Sequence, residues 1–100
     1  MLFITAHIYG KNKIRGEFKS YEVKTLNIFK KYGGEIIAAY VPLLNKNGLE
    51  VPDEIHVLKI SDQNAFDKFL NDPERLALSQ ERDLVIARTE VFISQEIVEY

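Results

Sequence analysis

From residue 2 to residue 9 apolar and polar side chains alternate: Leu2, Ile4, Ala6 and Ile8 fall on one side, Phe3, Thr5, His7 and Tyr9 on the other. A period of two predicts a strand whose faces meet different surroundings. After a connecting segment over 10–16 the period lengthens. Phe18, Tyr21, Thr25, Leu26, Ile28, Phe29 and Tyr32 recur every three or four residues, with Lys19, Glu22, Lys24, Lys30 and Lys31 mostly between them. That spacing predicts an amphipathic helix over 17–32. Glu17 in its first turn and Lys30 and Lys31 in its last suit the helix dipole, and Gly33-Gly34 supplies a left-handed stop.

Two further strands are predicted over 35–43 and 54–60, separated by an excursion whose Asn45-Lys46-Asn47-Gly48 is turn chemistry. Pro42 cannot donate to a sheet ladder and belongs at an edge or a strand end. Ser61-Asp62 caps a short helix over 63–71 striped by Phe66, Phe69 and Leu70, and Asp72-Pro73 restarts the helix toward residue 85. A last strand follows over 89–98. The order is β-α-β-β-α-β: a ferredoxin-like α+β fold in a single domain over 1–100, with the helices on one face of a four-stranded antiparallel sheet.

Helices on one face leave the other uncovered, and it carries Phe3, Thr5, His7 and Tyr9. Lys59 is the only charged residue inside the third strand; turning it away from the helices turns Ile55 and Val57 with it and points His56, Leu58 and Ile60 inward. The second strand, with Ile36-Ile37-Ala38-Ala39, is apolar on both sides, so its facing stays open. A contiguous apolar patch is rarely left in water on a monomer. The uncovered face therefore predicts a homodimer paired sheet to sheet, its polar side chains bonded within the interface or lining a wet cavity.

Composition narrows the chemistry. Thirteen Lys and Arg against fifteen Asp and Glu give a net charge of −2, without the one-sided basic excess of a nucleic-acid footprint. The absence of cysteine removes thiolate nucleophiles, iron–sulfur clusters and sulfur-ligated zinc. With His7 and His56 as the only imidazoles, neither a metal nor a cofactor is expected. No apolar run approaches the roughly 20 residues that span a bilayer, and the first residues do not read as a signal peptide. A cytoplasmic protein with no membrane partner is expected. There is no dinucleotide fingerprint, Walker loop or nucleophile elbow.

Among candidate residues His7 comes first, in mid-strand on the uncovered face between Thr5 and Tyr9. It is either an acid or base near neutrality or a hydrogen-bonded histidine of the interface. Tyr9 either orients a ligand or is an amphipathic interface side chain. Lys59 either stabilises developing negative charge or pairs with a carboxylate across the dimer. Tyr21 and Tyr32 are expected in the core with peripheral hydroxyls, Arg75 and Arg82 in surface ion pairs. His56 is expected partly exposed, paired with Glu54 or a loop carbonyl.

Phe18-Lys-Ser-Tyr21, Tyr32-Gly-Gly-Glu35-Ile-Ile and Pro52-x-x-Ile55-His-Val-Leu-Lys-Ile60 form an ordered series, continued by Ala65-Phe66-x-x-Phe69-Leu70-Asn71-Asp72-Pro73-Glu74 and Arg82. The series resembles a family of small proteins of unknown function in the dimeric α/β-barrel superfamily and covers almost the whole chain. The resemblance implies a ferredoxin-like protomer whose sheet faces that of a second copy across a barrel. Many members carry an arginine near the position of Ala39, so an anion-binding role there does not transfer. The wider superfamily includes cofactor-free oxygenases, lactone isomerases, haem-degrading enzymes and stress-responsive proteins. The function expected is binding of a small organic molecule in a cavity, between helices and sheet or between sheets. With it goes cofactor-independent proton transfer or oxygenation on an aromatic or dienolate-type substrate, His7 acting as acid/base, Tyr9 as orienting donor and Lys59 as stabiliser. The alternative is a non-enzymatic dimerisation or stress-associated module.

Overall fold

The computed structural model describes residues 1–11 and 15–100. Its elements are β1 (Leu2–Gly10), α1 (Arg15–Lys31), β2 (Glu35–Tyr40), β3 (Glu54–Ile60), α2 (Gln63–Leu70), α3 (Pro73–Ala77), α4 (Ser79–Val85) and β4 (Ile86–Ser94). The sheet runs β2-β3-β1-β4 with every pairing antiparallel. This is the α+β ferredoxin-like plan, laid out as a slab 41 × 35 × 16 Å. The connecting segment expected over 10–16 falls partly outside the described residues.

Strand ends follow the partners on offer. β2 stops at Tyr40, not 43, because Tyr40 pairs with Ile55 near the start of β3. β4 stops at Ser94, not 98, because Ser94 already opposes Phe3 at the start of β1. It begins earlier than residue 89, at Ile86, where a register shift between Tyr9 and Gly10 brings Gly10 opposite Ile86. The helical region after Pro73 is two pieces rather than one, meeting at Leu78, which ends α3 and precedes α4.

β1 buries Leu2, Ile4, Ala6 and Ile8 against the helices while Phe3, Thr5, His7 and Tyr9 stay half-buried on the open face. In β3 His56, Leu58 and Ile60 are buried and the intervening residues are not. A bulge at Ile37 settles the facing of β2. Ile36 opposes Leu58 and Ala39 opposes His56 on the helix side, while Ala38 opposes Val57 on the open side. The core forms two clusters. One gathers Leu2, Ile4, Ile28, Phe29, Leu58, Ile60, Phe66 and Phe69; the other gathers Ala6, Ile8, Phe18, Tyr21, Val85 and Ile86.

The helix layer is latched at Asp72. Its Oδ1 accepts from the backbone amides of Glu74 and Arg75, capping α3, and its Oδ2 accepts from the Tyr32 hydroxyl at 2.5 Å and faces Lys31 Nζ at 3.0 Å. Tyr32 reaches it because Gly33, at φ +82°, turns the chain away at the end of α1. At Gly34 a side chain would collide with the Phe29 ring. The Tyr32 hydrogen bond above all, then Lys31 and the two amides, hold the Asp72 carboxyl down to about 2. A carboxyl lowered in the folded state adds stability above its ordinary value near 4, and that stability is lost as pH falls toward 2. Asp72→Ala is therefore expected to lower the melting temperature at pH 7 by roughly 5–10 °C. The gap to the parent should narrow from about pH 4 downward and close only below about pH 2; a gap that does not narrow over that range would refute the latch.

Candidate functional site

The inward stripe of α1 is Phe18, Tyr21, Glu22, Thr25, Ile28 and Phe29, spaced by three, four and seven. Glu22 and Thr25 are thus polar residues at core positions of an amphipathic helix. Glu22 is 8% exposed and His56, facing it from β3, is 3% exposed. His56 is flanked across the sheet by Ala6 on one neighbouring strand and Ala39 on the other. Two methyl side chains beside an imidazole leave space, and a cavity of about 210 Å³ opens there between helices and sheet. Its walls draw on both core clusters, including Ile4, Ile8, Tyr21, Leu58, Phe66 and Phe69, and its polar lining is Glu22, Thr25, His56, Arg75, Arg82 and Thr89.

Two carboxylates flank the imidazole. His56 Nε2 lies 2.8 Å from Glu54 Oε1, and His56 Nδ1 lies 3.7 Å from Glu22 Oε2. An Nε2–H donated to the ionised Glu54 leaves Nδ1 as the ring's lone pair, facing Glu22. The 3.7 Å gap is beyond a hydrogen bond and leaves Glu22 free to turn to another partner. Burial above all, then the negative charge of Glu54, raise the Glu22 carboxyl to about 7, against the opposing pull of Arg82. Glu22, Glu54 and His56 also line an outward cleft of about 270 Å³ with Lys19, Ala39, Tyr40 and Val41. The buried acid therefore stands between the cavity and a surface opening. Because the two carboxylates address opposite ring nitrogens they do not converge, and among the described residues no three potential ligands are grouped to hold a metal ion.

The residues singled out in the sequence lie elsewhere. His7, Tyr9 and Lys59 share the open face, but Lys59 opposes Phe3, four residues along β1 from His7, or about 13 Å at strand rise. Lys59 Nζ pairs within the chain with Glu35 at 3.0 Å, directly across the ladder. His7 meets the edge of Phe92, ring centres 5.5 Å apart, and Tyr9 lies under the Arg88 guanidinium at 3.7 Å. His56 is paired with Glu54 as expected but is buried rather than partly exposed, since Ala6, Ala39 and α1 enclose it. Arg75 is not in a surface ion pair: it donates from a terminal nitrogen to the Leu70 carbonyl at 2.8 Å and lies over the Phe69 ring. Glu22 had a legible signal in its four-, three- and seven-residue spacing from Phe18, Thr25 and Phe29.

No protein-family model and no curated protein matches the chain. Solved structures do. A protein of unknown function from Rhodopseudomonas palustris superposes with TM-score 0.78 at 11% identity, covering 98% of this chain and 83% of the other. A dabb family protein with a ferredoxin-like fold from Mesorhizobium loti gives TM-score 0.70 at 14% identity, covering 97% of each chain. SnoaB, a cofactor-independent oxygenase from Streptomyces nogalater, gives 0.69 at 14% identity, covering 98% of this chain and 93% of the other. At these identities what is shared is the fold, which is the fold that the sequence motifs imply.

A carboxyl raised in the folded state binds more protons folded than unfolded between about 4.5 and 7, so its contribution to stability falls as pH rises through that window. The full penalty above it is roughly 3 kcal/mol. Glu22→Gln is expected to be near neutral at pH 5 and stabilising by roughly 2–3 kcal/mol at pH 8, read by urea unfolding at both values. An equal effect at both would show that Glu22 ionises normally.

Proposed function

We propose that the protein acts as a homodimer in which each protomer's helix-side cavity takes up a small organic molecule and moves a proton on it without a cofactor. The observation that carries this reading is Glu22, an acid raised to about 7 within a cavity walled mainly by apolar side chains, beside a buried imidazole. A general base works best when it ionises near the working pH. Glu22 takes the proton, and His56, its tautomer held by Glu54, offers a second acceptor that leads toward the outer cleft. Removing a proton next to a carbonyl or from an acidic ring gives a carbanion or enolate. That species is either reprotonated elsewhere or meets dioxygen, so the first step is common to isomerisation and cofactor-free oxygenation. SnoaB has this fold and is a cofactor-independent oxygenase, which places such chemistry within the fold's range without choosing it.

The open face supports pairing. Phe3, Ile55 and Val57 are half-buried there, while Tyr40 and Phe92 are exposed by 58% and 51%. Leu43, Leu44 and Leu49, in the segment between β2 and β3, are exposed as well. In this reading His7 and Tyr9 belong to the contact between the two sheets, and Lys59, with Glu35, to its rim. A purely structural dimer would have no use for a buried acid at Glu22.

Two measurements test the two halves. The parent should sediment as a dimer at micromolar concentration, and Val57→Glu with Phe92→Glu should give a folded monomer; a monomeric parent rules out the pairing. In D₂O, cyclic ketones with one or two rings should exchange their acidic protons faster with protein than in buffer, and Glu22→Gln should slow this by about 100-fold. If no ketone exchanges faster, or the Gln variant matches the parent, the catalytic reading is wrong.

A further inference from the structure

The cavity contains two polar atoms that the fold itself does not use. Thr25 Oγ1 and Arg75 Nε are both buried, and among the described residues neither has a hydrogen-bond partner. Both residues line the cavity. Native interiors seldom leave such groups unsatisfied, and those that remain call for an explanation. Arg75 is not loosely placed: its backbone amide is held by Asp72, one terminal nitrogen donates to the Leu70 carbonyl, and its guanidinium lies 5.2 Å over the Phe69 ring. Nε is the part of this fixed group left with nothing to bind. Among the described residues no carboxylate forms an ion pair with Arg75.

The surroundings define the rest of the occupant. Phe69 stands edge-on to Phe29 at 5.1 Å and beside Phe66 at 6.0 Å, and all three rings face the cavity from its Arg75 end. Thr25 is one helical turn from both Glu22 and Phe29, so it lies roughly 5–6 Å from each along the inner face of α1. Along α1, Thr25 therefore stands between the acid and the aromatic wall. The volume, about 210 Å³, is below the roughly 300–1,000 Å³ usual for drug-sized ligands and suits one or two rings.

We infer that the ligand is a one- or two-ring unsaturated carboxylic acid whose carboxylate is seated between Arg75 Nε and Thr25 Oγ1, with its ring against Phe29, Phe66 and Phe69. This rests on the reading of the cavity as a ligand site and adds the ligand's class and its orientation. A carboxylate answers both orphan donors in one contact. Arg75 and Thr25 are specificity residues here, Thr25 one helical turn from the acid that moves the proton.

The test titrates the full chain at pH 7 with 2-naphthoate and with 2-naphthamide, which has nearly the same shape and no charge. Naphthoate should bind at least about tenfold more tightly. Arg75→Met and Thr25→Val should each cost about tenfold in naphthoate affinity and reduce the preference over the amide. Thr25→Val removes a buried unpaired hydroxyl, so its ligand-free melting temperature should hold or rise, separating lost binding from lost folding. Equal binding of both compounds, or naphthoate affinity untouched by both substitutions, overturns the carboxylate seat and leaves the cavity standing as a ligand site. If neither compound binds, the seat is overturned, and the ketone exchange decides whether the cavity reading falls with it.

Discussion

A four-stranded sheet with all its helices on one side has one buried face and one unfinished face, and both halves of this molecule's behaviour descend from that constraint. On the buried side the row Leu2, Ile4, Ala6, Ile8 has its smallest member opposite His56. The small residue, repeated at Ala39 on the other flank, keeps the two core clusters from closing over the imidazole. A cavity with an ionisable lining is what remains. The unfinished face carries Phe3, Val57, Phe92 and their neighbours, enough apolar surface to call for a partner.

The same packing accounts for the state of Glu22. A carboxyl in contact with water would ionise well below neutrality; here burial and the charge of Glu54 raise it, and only Arg82 opposes them. The methyl group of Ala39 beside His56 keeps the space next to the imidazole open.

The motifs that carry the family resemblance serve mainly to hold this arrangement. Tyr32 and Gly33 of Tyr-Gly-Gly and Asp72 of Asp-Pro-Glu are the two sides of one latch between α1 and α3. That latch also fixes Arg75, whose amide bonds the same carboxylate. The residues with chemical potential are mostly neighbours of the motifs: Glu22 follows Tyr21, and Arg75 follows Glu74. Local signatures of this kind mark where the backbone must turn or be capped, and the reactive groups sit on the elements so placed.

Element order, sheet topology and the two faces of β1 and β3 were legible in the chain, because strict two-residue alternation and a three-to-four-residue stripe each permit one amphipathic solution. In the chain the candidate chemistry lies most visibly on the open face, with His7, Tyr9 and Lys59, because polar residues among apolar ones stand out there. Glu22 was harder to see, since a charged residue on a lysine-rich helix looks solvated until the depth of its stripe position is known. Local pattern could not orient β2, apolar on both sides; that took the bulge at Ile37, set by pairing with β3. Nor could it bring His56, Thr25, Glu22 and Arg75 around one space. Those residues come from three elements, and their proximity exists only once α1 and α3 are packed onto the sheet.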